Sequence, residues 1–227
     1  MTKNLLTSAV LAGVVAGLIA ALLQFAFVIP TLLEGELYES GARIHFATDG
    51  STQSDKGAPA LGGDMMRHAM TVAFNLVTFA GYGLILLAAM LFAAEKGHAI
   101  TARRGLIWGL AGFFAVQLAP AIGLPPELPG TPAAEVGPRQ VWWFTTIIAT
   151  AVALALIAFA KGPIALLSVP LLLAPHIIGA PHLDAYYGVA PPELSAHFVT
   201  LSLGTALAGW ASLGFFCAWF WMKANDE

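Results

Sequence analysis

Two histidines, His176 and His182, stand in the stretch Leu171-Leu-Leu-Ala-Pro-His-Ile-Ile-Gly-Ala-Pro-His182, which is otherwise hydrocarbon in character. An ionisable side chain in such a segment is expensive beside lipid and marks a functional site by default. Imidazole and carboxylate together suit borderline divalent ions such as Co²⁺, Ni²⁺ and Zn²⁺. The carboxylates available to complete such a site are Glu34, Glu36 and Glu39. A turn made by Gly179 and Pro181 would bring both rings to one ion. No standard ligand spacing such as HxxxH is present, and the alternative is that each histidine caps a broken helix by bonding its freed carbonyls.

Other side chains carry weaker chemistry. Met65-Met-Arg-His-Ala-Met70 sets three thioethers beside His68, a soft set that favours Cu(I), although methionines also fill gaps between helices. Gln24 and Gln117 lie inside apolar runs, where each either bonds a neighbouring helix or lines a polar path. Glu127 follows a double proline, which leaves a turn-capping role open beside a ligand role. His45 and His197 read as solvated surface residues, and the six tryptophans mostly as interfacial anchors. There is no GxxxxGK[ST] phosphate loop, and no GxSxG, HExxH or paired cysteine. Enzymatic chemistry of those kinds is not expected, nor is a tightly bound cofactor.

These residues sit in a chain that cannot cover itself with polar surface. Of 227 residues, 58% are hydrophobic and only 10% charged, whereas soluble domains carry about a quarter charged residues. The sequence therefore predicts an all-α integral membrane protein, a single polytopic domain over 1–227. Six apolar runs approach the roughly 20 residues a crossing helix needs: 5–29, 69–94, 105–123, 141–160, 164–178 and 195–222. The fifth is short and holds Pro170 and Pro175. A break near Ala174 is expected there, because a residue preceding proline avoids the α region. Six helices, or five plus a re-entrant segment, both fit. Gly13-Val-Val-Ala-Gly17 and Gly105-Leu-Ile-Trp-Gly109 space small residues for close helix contact.

Charge fixes the expected orientation. With both termini in the cytoplasm, the inner segments carry a net +3, with Arg103-Arg104 in a short turn, and the outer segments −6. Short loops rich in Lys and Arg stay inside. The acidic, histidine-bearing outer face should attract cations, while a net charge of −3 gives no reason to expect nucleic acid. Residues 31–64 form the longest outer loop; Leu33–Glu39 is expected to extend the first helix and 47–63 to be flexible.

Leu118-Ala-Pro-Ala-Ile-Gly-Leu-Pro125 is echoed by Leu173-Ala-Pro-His-Ile-Ile-Gly-Ala-Pro181, and a Pro-Pro-Glu-Leu follows each, at 125–128 and 191–194. Hairpin repeats of this kind are a common origin of transporter folds. The second copy has His176 and an added Ile where the first has Ala121.

Arg103-Arg-Gly-Leu-Ile-Trp-Gly-Leu-Ala-Gly-Phe113, the stretch Gln117–Gly130, Arg139-Gln-Val-Trp-Trp143 and Pro175–His182 together resemble the predicted cobalt transporter subunit family CbtA. The resemblance runs over most of the chain and is weakest at 40–64. It implies a bacterial inner-membrane protein of five or six helices that imports cobalt for cobalamin synthesis, paired with a small single-helix subunit, CbtB. It points first to His176 and Glu127 as site residues; the Met-rich segment departs from the pattern. A non-transporting membrane scaffold or accessory subunit, and copper handling through 65–70, stand as the alternative functions.

Overall fold

The computed structural model describes residues 2–45, 53–62, 64–185 and 187–225. Among them the regular structure is helical throughout. The chain opens with α1 (Thr2–Leu23), a π-helical turn (Gln24–Val28) and α2 (Ile29–Glu39), one continuous 38-residue helical segment. There follow α3 (Met65–Glu95), α4 (Ala102–Phe113), a second π turn (Phe114–Leu118), α5 (Ala119–Ala121) and α6 (Val136–Phe159). A 3₁₀ turn (Gly162–Leu167) leads into α7 (Ser168–Ile178), and α8 (Pro192–Asn225) ends the described chain. Of the 47–63 stretch expected to be flexible, 47–52 and 63 lie outside the described residues.

Five helical segments are long and apolar enough to cross a membrane: Thr2–Glu39, Met65–Glu95, Ala102–Gly123, Val136–Phe159 and Pro192–Asn225. The sixth, Gly162–Ile178, has 17 residues. Its first part is 3₁₀, which rises about 2.0 Å per residue against about 1.5 Å in an α-helix. The whole segment is therefore about 28 Å long, close to the hydrocarbon thickness of about 30 Å.

The expected break near Ala174 is absent. Helix α7 runs through Pro175 and ends at Gly179, whose φ of +85° only glycine adopts without strain. A single proline costs a membrane helix one hydrogen bond, and neighbouring groups can make good the loss. The other prolines act differently. Pro30 and Pro120 each lie two residues beyond a π turn. A proline ring clashes with the carbonyl four residues earlier, here Ala26 and Val116, and both belong to the widened turns. The extra residue per turn moves those carbonyls aside.

The chain forms two compact units, residues Met1–Phe25, Gly63–Phe113 and Gly204–Glu227 in the first, and Ala26–Gly62 and Phe114–Leu203 in the second. In the first unit, α1 offers α3 a face of small residues, Ala9, Ala12, Gly13, Ala16, Gly17 and Ala20, all buried. A side chain at Gly17 would stand 3.0 Å from the Asn75 carbonyl, so the two backbones run almost in contact. Gly105 and Gly109 of α4 lie in the same way against Gly214 and Trp210 of α8. Both small-residue motifs thus do what their spacing predicts. Asn75 is buried and donates to Gln24 Oε1 at 2.8 Å and to the Thr71 carbonyl at 2.9 Å. Trp210 is no interfacial anchor: it is buried and stacked on Tyr82 at 4.7 Å between centroids.

Candidate functional site

The second unit places the two proline motifs on either side of one tryptophan. Trp142, near the start of α6, is buried, so its indole N–H must find an acceptor within the protein. It donates to the Pro175 carbonyl at 2.9 Å. The Gly179 amide donates to the same oxygen at 3.0 Å and closes the last turn of α7. Opposite, Gly123 of the first motif abuts the indole: a Cβ there would lie 2.6 Å from Trp142 Cη2 and 2.8 Å from Ala180 Cβ. The copies end alike, each proline carbonyl accepting from the glycine amide that follows. Pro120 accepts from Gly123 at 3.1 Å, three residues on, and Pro175 from Gly179, four residues on. The extra Ile of the second copy is what lengthens that turn.

His176 sits in this turn, half-buried, with its ring edge-on to Trp142 at 6.0 Å between centroids. Its Nδ1 is buried and has no hydrogen-bond partner. Buried polar atoms are normally satisfied, so an exception calls for an explanation such as a bound ion. Two hydroxyls of the same unit, Thr150 Oγ1 on α6 and Ser202 Oγ on α8, are buried and unpartnered too. Trp142, Thr146 and Thr150 follow one another at four-residue spacing, so they form a single buried stripe along α6.

Two of the acids predicted as ligands, Glu34 and Glu127, are paired with arginines. Glu34 is 8% exposed, and its Oε1 accepts from Arg43 Nη1 at 2.8 Å and from the Gly57 amide at 2.7 Å. Glu127 is paired with Arg139 at 2.8 Å in a more exposed bridge. Residues Leu33–Glu39 do extend the first helical segment, with Glu36 half-buried and Glu39 exposed. The Cβ and Cγ of Glu39 lie beside Gly130. His182 is exposed on non-helical chain. Among the described residues, no three His, Cys, Asp or Glu side chains converge as a metal cluster would require. In the first unit, His68 meets the ring of Phe25 edge-on at 5.3 Å. Its neighbours Met65, Met66 and Met70 are 62–75% exposed, so they fill no gap in the core. Gln24 bonds Asn75, as above, and Gln117 lies half-buried in the second π turn.

Sequence reasoning missed Trp142, Arg43 and Gly57. Trp142 was expected at the membrane interface, where its N–H would meet water. Its pairing with a proline carbonyl 33 residues away leaves no local trace. One signal was available: Arg139-Gln-Val-Trp-Trp143 carries two adjacent tryptophans, which point in different directions on a helix.

Compared with known families, residues 2–222 match the model described as a probable cobalt transporter subunit, CbtA. The chain belongs to the CbtA family. No curated protein and no solved structure matches it. This CbtA chain is accordingly a multi-pass membrane protein and a subunit of a probable cobalt transporter. The word subunit implies a partner.

Within this CbtA chain, Trp142→Phe should destabilise the second unit. It removes one of the two donors to the Pro175 carbonyl and leaves a void beside Gly123. The Gly179 amide still satisfies that carbonyl, so the lost hydrogen bond costs about 0.5–1.5 kcal/mol, and the void adds to that. Thermal unfolding in detergent should show a lowered midpoint, with faster amide exchange at Gly179. An unchanged midpoint and unchanged Gly179 exchange would mean that the indole does not clamp this turn.

Proposed function

We propose that this chain takes divalent cobalt across the bacterial inner membrane, with His176 as its principal protein ligand and a small single-helix CbtB-like subunit as partner. The observation that carries this reading is the buried, unpartnered Nδ1 of His176. A neutral imidazole has one lone pair to give, and Co²⁺ is among the ions that imidazole suits. Deep sites that hold cations through neutral donors avoid the cost of an unpaired carboxylate in the membrane. Here the buried Glu34 already has a cationic partner, while His176 does not. Cobalt so imported would serve cobalamin synthesis.

Six crossings and cytoplasmic termini fit this reading. The Gly162–Ile178 segment is about long enough to span; six crossings place both termini on one side, and the two crossings before the Arg103-Arg104 turn place that turn there as well. The test is ⁵⁷Co uptake by cells carrying this chain alone, the partner alone, or both. Uptake above the vector background is expected when both are present. A pair that accumulates no more cobalt than the vector would sink the transport reading and favour a scaffold.

A further inference from the structure

A hydroxyl inside a helix can settle its own hydrogen bond by folding back onto the carbonyl four residues earlier. On α6, Thr145 does so to Val141 at 2.7 Å and Thr146 to Trp142 at 2.8 Å; on α8, Thr200 does so to Ala196 at 2.9 Å. Thr150 and Ser202, on the same two helices, do not. Thr150 is 1% exposed, so no solvent outside the protein supplies the missing bond. A back-bond costs only a χ1 rotation, since threonine in a helix divides between two rotamers and one of them reaches the carbonyl. Buried hydroxyls that leave this bond unmade lower stability, and each calls for something that uses it. Their place in the fold says what that is. Trp142, Thr146 and Thr150 share the buried stripe of α6, and the Trp142 ring lies 6.0 Å from that of His176. Thr150 stands about 12 Å beyond Trp142 along the helix, away from the end of α7 that holds His176. Ser202 lies about 15 Å into α8 from Pro192, and both hydroxyls belong to the second unit.

We infer that Thr150 and Ser202 line the leg of the cation's route beyond His176, where they take hydrogen bonds from the ion's water shell. A divalent ion polarises its waters into strong donors, and a hydroxyl with free lone pairs accepts from them. Neutral acceptors suit a depth at which an unpaired carboxylate is costly. One imidazole followed by hydroxyls grips the ion firmly once and then weakly, which lets it enter and also leave. This inference rests on the reading of the chain as a cobalt carrier and adds where the ion goes next.

A cysteine in place of each hydroxyl reports whether an ion arrives there. A thiol that coordinates Co²⁺ gives up its proton, and the thiolate–cobalt bond absorbs strongly in the near ultraviolet. The full chain in detergent is titrated with CoCl₂ as wild type, Thr150→Cys, Ser202→Cys and Ala151→Cys. Wild type, whose one cysteine, Cys217, is buried, is the blank. Ala151, beside Thr150 but on an exposed face of α6, is the control at equal depth. The band is expected in Thr150→Cys and Ser202→Cys and not in Ala151→Cys; if one of the two fails to fold, the other decides. In cells carrying this chain and its partner, Thr150→Val should cut ⁵⁷Co uptake about tenfold, as loss of one hydrogen bond to a charged group predicts, and Thr150→Ser should retain it. The thermal midpoint of Thr150→Val should be no lower than that of wild type, because a methyl group replaces an unpaired buried hydroxyl; a hydroxyl that served only the fold would lower it and overturn the inference. No band in either cysteine variant, an equal band in Ala151→Cys, or wild-type uptake by Thr150→Val would each overturn it as well. The expected bands in a protein that imports no cobalt would uphold this lining and refute the transport reading, and intact uptake with no band would do the reverse.

Discussion

Gly214→Leu is expected to remove nearly all folded protein from the membrane, and Gly214→Ala to lower its thermal midpoint clearly. Gly214 of α8 lies where α4 passes closest, with Gly105 and Gly109 facing it across the contact. A Cβ at 214 would stand 2.5 Å from the Gly109 amide nitrogen and 2.6 Å from its Cα. These are backbone atoms, so no side-chain rotation relieves the clash and the helices must separate. In a bilayer that separation is serious, because lipid tails are as apolar as leucine and close packing supplies much of the association energy. Overpacking by even one methyl group costs about 1–3 kcal/mol in cores that can adjust, and this one cannot adjust easily. A fluorescent fusion after residue 225, with size-exclusion profiles in mild detergent, measures the surviving fraction. Leu207→Ala on the same helix is the control, since Leu207 is 39% exposed and its truncation opens no core cavity. A Gly214→Leu protein that is abundant and monodisperse would show that α4 and α8 do not need this approach.

That contact could be anticipated because the information is local. Gly105 and Gly109 are four apart in a long apolar run, and a helix puts such residues on one face whatever lies opposite. The crossing helices were legible for the same reason. The π turns were not, although each is followed at the same distance by a proline, Pro30 or Pro120. Proline says that a carbonyl four residues earlier must move, but whether the chain kinks, widens or stops depends on what packs beside it. Pro175 shows yet another outcome: the helix simply continues.

The site was legible in part and for a similar reason. His176 stands out from hydrocarbon, and a polar ring in such surroundings needs an account wherever it packs. The roles of the acids depended on partners distant in sequence. Nothing near Glu34 reveals that Gly57, 23 residues on, aims an amide at it, or that Arg43 folds back nine residues to neutralise it. Glu36 and Glu39, three residues apart on α2, share one helical face, but it is Glu34, on another face, that is buried. The alternation that sets these faces is visible in the sequence; which face the rest of the unit covers is not.

His176→Ala is expected to cut cobalt uptake at least about tenfold at subsaturating metal, as loss of groups around a metal site commonly does. Membrane abundance should be unchanged. Its ring is half-buried and its Nδ1 contributes no hydrogen bond, so removal breaks no polar contact that holds the fold. The last turn of α7 is secured instead by backbone groups and by Trp142, through the Pro175 carbonyl, and these remain in the variant. His182→Ala should have the smaller effect, because that ring is exposed on chain outside any helix and nothing fixes its direction. A second substitution separates ligand from filler. Asparagine places an amide near the position of Nδ1 and keeps a polar group of similar reach, but an amide oxygen is a far poorer ligand than imidazole for a borderline metal. If His176 is a ligand, His176→Asn should fold as wild type and transport as poorly as His176→Ala. If the ring only fills space beside Trp142, the asparagine variant should transport nearly as well as wild type, and the imidazole would no longer be the donor that cobalt meets.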